Sequence, residues 1–205
     1  MVHTIALAGI SFGQNMVGII LRPYETYRRI TREGTGWELV YIAGLLGLYF
    51  ATATLIKNPS FRPFLLTRQF VVLASATGCT YCTVVGLMAA IGRLLKSQGK
   101  LRGLALGWAY SLFPTLVWFW ITSLLYVLIP PPRTTSFLGI AFSIVYLLFS
   151  ATILFWKIIL SYLTVRFALR FDLKKIALTG AVVLPIMIVY SIGMYRLGIF
   201  RIPFL

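Results

Sequence analysis

The sequence is poor in the residues that most catalytic and metal-binding sites require. It contains four acidic residues, two cysteines and a single histidine, His3, among 205 residues. No H-E-x-x-H, G-x-S-x-G or nucleotide-binding glycine loop occurs in it. A zinc site would lack ligands, and a nucleophile cannot be paired with an imidazole base. These absences predict no catalytic, cofactor-binding or metal-binding residues, and they leave an intramembrane enzyme built from Tyr, Lys and Ser as the weakest alternative.

The shortage of acidic residues leaves a net charge of +15, from 19 Lys and Arg. In a soluble chain such an excess suggests a nucleic-acid partner. Here 60% of the residues are hydrophobic and only 11% are charged, which indicates a polytopic membrane protein. Basic residues of membrane proteins collect in short cytoplasmic loops and contact anionic head groups. The charge therefore predicts contact with a lipid bilayer rather than with nucleic acid.

The two cysteines form a Cys79-x-x-Cys82 pair inside an apolar segment. In a soluble protein this spacing suggests redox or zinc chemistry. No second pair is present, so we interpret these cysteines as small side chains buried on one face of a membrane helix.

Apolar runs predict an all-α fold, a polytopic membrane helix bundle with five transmembrane helices. Residues 1–36 form an N-terminal interfacial segment, in which 5–21 either lies in the interface or inserts. A short amphipathic helix then begins at Pro23, with Tyr24 and Tyr27 at head-group depth. The membrane domain covers 37–205, with spans at about 38–56, 70–91, 103–129, 136–163 and 176–195.

Charge counting predicts the orientation of the bundle. With a cytoplasmic N-terminus, twelve Lys and Arg face the cytoplasm and six face the other side. We therefore expect the N-terminus inside and the C-terminus outside. No span has an internal carboxylate, because Glu38 lies at the mouth of the first span and Asp172 lies in a loop. This disfavours an ion-coupled transporter.

Small residues recur every four positions in the first three spans, a pattern that lets helix backbones approach closely. It predicts that these spans form a tight internal core, or alternatively that one stripe faces a partner subunit. The candidate packing residues are Ala43, Gly47, Gly78, Cys82, Gly86, Gly103 and Gly107.

Two prolines and several cations complete the candidate residues. Pro114 and Pro185 predict kinks in the third and fifth spans. Lys157 is the one charge inside a span, about six residues from its predicted cytoplasmic end, where it either snorkels or contacts an anionic group. The candidate contacts for anionic lipids or a partner are Lys157, Arg93, Lys96, Lys100, Arg102, Arg28 and Arg29.

The order of these parts resembles the Yip-domain (Ypt-interacting protein) family. The resemblance rests on the proline-led Arg22-Pro23-Tyr24 helix before the first span, the five spans, and a basic lead into Tyr110-Ser111-Leu112-Phe113-Pro114. It covers about 17–200. It implies an N-inside membrane protein without catalytic residues that acts through membrane and protein contacts.

Eukaryotic members of the family are associated with small GTPases and early secretory trafficking. This sequence has Arg22-Pro23-Tyr24 in place of their Asp-Leu-Tyr-Gly-Pro type motif and is more similar to compact prokaryotic members. Some of these look like accessory components beside ABC-type export systems, which implies the prokaryotic plasma (inner) membrane as the location.

The favoured hypothesis is a non-enzymatic membrane scaffold or accessory subunit of a transport or trafficking complex. Other membrane protein subunits, or further copies of this chain, would be its partners. The alternative is a lipid- or solute-handling protein with a groove near the kinked third to fifth spans.

Overall fold

The computed structural model describes residues 2–57, 63–128 and 136–198, and their secondary structure is entirely helical. Within these described ranges, eight helices follow one another. They are α1 (Val2–Leu21), α2 (Pro23–Glu33), α3 (Glu38–Lys57), α4 (Pro63–Leu94), α5 (Leu101–Tyr110), α6 (Phe113–Leu128), α7 (Phe137–Ala168) and α8 (Leu173–Arg196). The all-α class predicted from the sequence is confirmed.

Among the described residues, five segments are long and apolar enough to cross a membrane, as predicted. The helices α3, α4, α7 and α8 each provide one, and α5 with α6 provide the third as Leu101–Leu125. Several helices are longer than the predicted spans. Each of α4 and α7 has 32 residues, which is about 48 Å of helix and exceeds the hydrocarbon core of a bilayer.

The amphipathic helix α2 packs against α1, α5 and α7. Pro23 occupies its first turn, and its buried face consists of Thr26, Tyr27 and Ile30. Tyr24 is exposed and meets Phe167 of α7 edge to face at 4.8 Å. The side chain of Tyr27, which we expected at head-group depth, is fully buried in the bundle core and packs against protein.

The helix α5 lies at the centre of the largest core cluster, with neighbours in α2, α3, α4 and α7. The third span, formed by α5 and α6, is interrupted at Ser111 and Leu112, which form a turn. Pro114 is the second residue of α6, where its missing N–H costs no internal hydrogen bond. The kink predicted inside one continuous helix is thus a break between two helices. Pro185 lies inside α8.

The connection between α4 and α5 is packed against the end of α7. The Ser97 hydroxyl donates to the Leu169 carbonyl at 2.8 Å. A Cβ atom on Gly99 would lie 1.8 Å from the carbonyl oxygen of Ala168. The two backbones therefore meet at a point where no side chain fits.

A second, smaller cluster joins the far half of α3 to α6. It contains Tyr49, Phe50, Leu116 and Phe119, and the rings of Tyr49 and Phe119 stack at 5.0 Å. The core thus continues along the third span from α5 into α6.

Candidate functional site

A carboxylate at the start of α3 is completely buried. Glu38 accepts a hydrogen bond from the backbone N–H of Thr35 at 3.0 Å, which is one half of a capping box and explains the local chain reversal before α3. Its other oxygen accepts from the Asn15 amide at 2.8 Å and from the Tyr110 hydroxyl at 2.5 Å. Ser11 adds a longer contact of 3.4 Å. The carboxylate therefore holds α1, the α2–α3 connection and α5 together.

Asn15 extends this network to a cation on α2. Its side chain is buried, and its oxygen accepts from the Arg29 guanidinium at 2.7 Å while its amide nitrogen donates to Glu38. A buried carboxylate is expensive unless it is hydrogen-bonded and its charge is balanced. The amide connects the carboxylate to an arginine, so the network is satisfied and links four segments of the chain.

The sequence alone did not predict this network. Its members are Ser11, Asn15, Arg29, Glu38 and Tyr110. Glu38 lies at the start of the first membrane-spanning helix, as expected, but α1 and α5 cover its side chain. A signal was available in the polar residues Asn15 and Ser11, which interrupt an otherwise apolar segment. Because such residues avoid hydrocarbon, they point to a polar partner nearby.

The described residues contain no group of three or more His, Cys, Asp or Glu side chains arranged to hold a metal ion. Hydrogen bonds join the network's members, which come from four helices: Ser11 and Asn15 from α1, Arg29 from α2, Glu38 from α3 and Tyr110 from α5. The arrangement can hold a charge in place and tie helices together.

Two of the predicted packing glycines make close contacts. A Cβ on Gly103 would lie 2.6 Å from the Thr31 carbonyl oxygen of α2, and one on Gly107 would lie 3.0 Å from the Thr164 methyl of α7. The third span therefore approaches α2 and α7 closely, rather than meeting the first two spans through these glycines.

The small residues of α3 and α4 have a different environment. Cβ atoms on Gly47, Gly78 and Gly86 would meet nothing within 4 Å. Ala43, Gly78, Cys82 and Gly86 are exposed. The expectation that the α4 stripe is internal is wrong, because no other helix among the described residues covers this side of α4.

Both cysteines are free and exposed on α4. The interpretation of Cys79 and Cys82 as buried side chains is therefore wrong for the same reason. We use the name α3–α4 face for the uncovered surface formed by Ala43, Gly44, Gly47, Gly78, Cys82 and Gly86.

Two grooves border these features. The smaller one is also lined by Ala109 and Leu112, just before Pro114, so it reaches the third span, the first of the kinked spans near which the alternative hypothesis expects a groove. One groove, of about 350 Å³, runs between α3 and α4 beside the α3–α4 face, and Thr77 and Phe50 line it. The other, of about 840 Å³, runs between α1 and α2.

Most of the predicted cationic contacts lie on exposed surface. Arg28 and Arg29 are on α2, and Lys157 is half-buried in α7, eleven residues or about 16 Å before that helix ends. The helix therefore continues five residues past the predicted end of the span, at about residue 163. The remaining candidates, Arg93, Lys96, Lys100 and Arg102, are exposed around the α4–α5 connection.

Comparison with known proteins is consistent with this architecture. The family model of the Yip1 domain matches residues 17–194, which include α2, the network residue Glu38 and all five spans. Searches among curated proteins and among solved structures return no match. The match covers most of the chain, and the chain therefore belongs to the Yip1 domain family.

Proposed function

We propose that this membrane protein is a non-enzymatic scaffold or accessory subunit whose α3–α4 face receives a transmembrane helix of another protein. The observation that carries the proposal is the exposure of regularly spaced small residues on two adjacent helices. In lipid, helices associate through close packing at such residues, because no hydrophobic effect drives them together.

A buried hydroxyl beside the same face also supports the proposal that it receives a helix. Thr77 lines the α3–α4 groove and is 4% exposed, and its oxygen makes no hydrogen bond among the described residues. Hydroxyls between membrane helices commonly bond to a neighbouring helix. An incoming helix with a polar group at this depth would satisfy it.

The proposed setting is the prokaryotic plasma membrane, with the N-terminus in the cytoplasm and the C-terminus outside. The excess of basic residues on the predicted cytoplasmic side supports this orientation. The partner is a membrane subunit of a transport complex, of the ABC export type, or of a trafficking complex.

Filling the α3–α4 face tests the proposal. We expect Gly78→Leu and Gly86→Leu to release the chain from its native complex, since a large side chain keeps a partner backbone away. The measurement is the mass of the complex extracted from native membranes in mild detergent. Gly193→Leu on α8 is the matched control, because Gly193 is also exposed with nothing nearby.

If the wild-type chain is monomeric in native membranes, or if Gly193→Leu releases the partner equally, the proposal fails. Retention of the complex by both α4 variants would also contradict it. Recovery of a tightly bound lipid in place of a protein would assign the groove to lipid handling instead.

The orientation has a separate test. In a background without Cys79 and Cys82, single cysteines at Ser97 and Ser60 should react with impermeant reagents from opposite sides of the membrane. Labelling of both from the same side would contradict the five-span topology.

A further inference from the structure

We propose that the groove between α1 and α2 binds an anionic phospholipid through Arg22 and Arg29. This site is on another part of the molecule from the α3–α4 face and does not depend on partner binding. The occupant is a lipid of the surrounding bilayer whose phosphate meets the two guanidinium groups.

The groove has walls of two kinds. On the α2 side the groove is lined by Arg22, the residue that precedes α2, and by Arg29, nearly two turns into that helix. On the α1 side Val17 and Leu21 line it and are 57% and 73% exposed. A phospholipid at the interface has both matching parts, since its acyl chain covers the apolar wall and its phosphate pairs with arginine.

One acidic residue also lines the groove. Glu25 approaches Arg22 at 3.8 Å, and both side chains are largely exposed, so this ion pair is weak and easily exchanged for a stronger one. The charged residues of the groove still sum to a positive charge, because Arg22 and Arg29 oppose a single carboxylate. Bidentate pairing of arginine with phosphate is stronger than a single exposed contact.

Contacts with the buried network hold the Arg29 side chain in position to bind a phosphate. Its guanidinium donates to the buried Asn15 oxygen, and Asn15 is in turn fixed by Glu38. A guanidinium has five N–H donors, so the bond to Asn15 leaves others for a ligand. Positioning in advance reduces the entropy lost on binding. The buried network thus positions a binding residue, and a bound lipid would strengthen the junction of α1 with α2.

The test compares lipids and three arginine variants of the full chain, purified in a neutral detergent. Native mass spectrometry measures binding of phosphatidylglycerol and of phosphatidylcholine. We expect phosphatidylglycerol to bind selectively to the wild type, and Arg22→Gln and Arg29→Gln each to weaken it about tenfold. Arg28→Gln is the matched control, because Arg28 is exposed on the same helix but does not line the groove.

Thermal unfolding supplies a second readout. Phosphatidylglycerol should raise the melting temperature of the wild type and of Arg28→Gln, and should raise that of Arg29→Gln much less. The Arg22 side chain makes no hydrogen bond to the buried network, so Arg22→Gln should leave the fold intact. If Arg29→Gln unfolds, Arg22→Gln therefore still tests lipid binding.

Several results would overturn the proposal. Equal binding of the two lipids would show that binding does not require an anionic head group. Equal loss in Arg28→Gln shows attraction to the whole basic surface rather than to the groove. Displacement of phosphatidylglycerol by inorganic phosphate, or by an acidic peptide at similar concentration, would assign the site to a soluble anion or to a protein partner.

Discussion

The region around α5 and the α3–α4 face use the same residue type in opposite ways. At Gly99 and Gly103 an added Cβ would collide with backbone carbonyl oxygens, whereas at Gly78 and Gly86 it would meet nothing within 4 Å. Around α5 the glycines are required because two backbones already touch within the chain. On the α3–α4 face they leave room that none of the described residues occupies.

Both regions bury polar groups, and each has one without a hydrogen bond among the described residues, Trp108 Nε1 in α5 and the Thr77 hydroxyl in α4. Around α5, Glu38 has strong donors from Asn15, Tyr110 and Thr35. Beside the α3–α4 face, Thr77 is buried without a hydrogen bond among the described residues. The comparison shows that the backbone of α5 makes its close contacts within the chain, whereas the small residues of the α3–α4 face are exposed.

The largest expected effect comes from adding a methyl group at Gly99. We expect Gly99→Ala to lower the free energy of unfolding by about 3 kcal/mol or more, because overpacking against a fixed backbone cannot be relieved by a side-chain movement. Thermal unfolding in detergent, followed by circular dichroism, measures the loss.

The control on the other region is Gly86→Ala, which should leave stability unchanged or raise it, since alanine favours helix over glycine. Equal destabilisation by both variants would abolish the distinction between the two regions.

Removing the buried carboxylate is expected to have the next largest effect. Glu38→Ala leaves the Asn15 amide, the Tyr110 hydroxyl and the Thr35 N–H without their acceptor, at a cost of about 2 to 3 kcal/mol. Chemical denaturation in mixed micelles gives the stability. Glu25→Ala, at an exposed position, should change it by less than about 0.5 kcal/mol.

A double-mutant cycle separates the hydrogen bond from general damage. Glu38→Gln and Tyr110→Phe should be coupled by about 1 kcal/mol, because the two side chains are in direct contact. Additive effects would mean that the network does not stabilise the region around α5.

The smallest expected effect concerns pH. Burial raises the pKa of Tyr27, although the nearby Thr164 hydroxyl partly offsets this shift. Above about pH 10 the unfolded chain releases the Tyr27 proton while the folded chain retains it, so stability is lost as the pH rises. Comparing unfolding at pH 8 and pH 11, we expect Tyr27→Phe to lose less stability than the wild type.

At pH 8 the two proteins should differ by no more than about 1 kcal/mol, because the Tyr27 hydroxyl forms no hydrogen bond of ordinary geometry among the described residues. Tyr24→Phe retains Tyr27 and should keep the alkaline loss. An identical pH response in Tyr27→Phe and the wild type would show that Tyr27 is accessible to water.

Much of the fold could be predicted from the sequence, while little of the site could. The number of spans follows from the length of apolar runs, and Pro23 marks the start of α2 because proline suits a first helical turn. The positions of Cys79 and Cys82 could not be predicted in this way. In a soluble helix the apolar face is the buried face, but a membrane helix is apolar on both its lipid-facing and its protein-facing sides.

The sequence by itself determined the membrane-spanning composition, the excess of positive charge and membership of the Yip1 domain family. These properties follow from the order of the residues and, for the spans, from the length of helix that a bilayer requires. Only the tertiary structure decided that Glu38 is buried, that the third span breaks before Pro114, and that the α4 stripe is uncovered. Each of these depends on which helices become neighbours, and neighbours are set by packing between segments far apart in the chain.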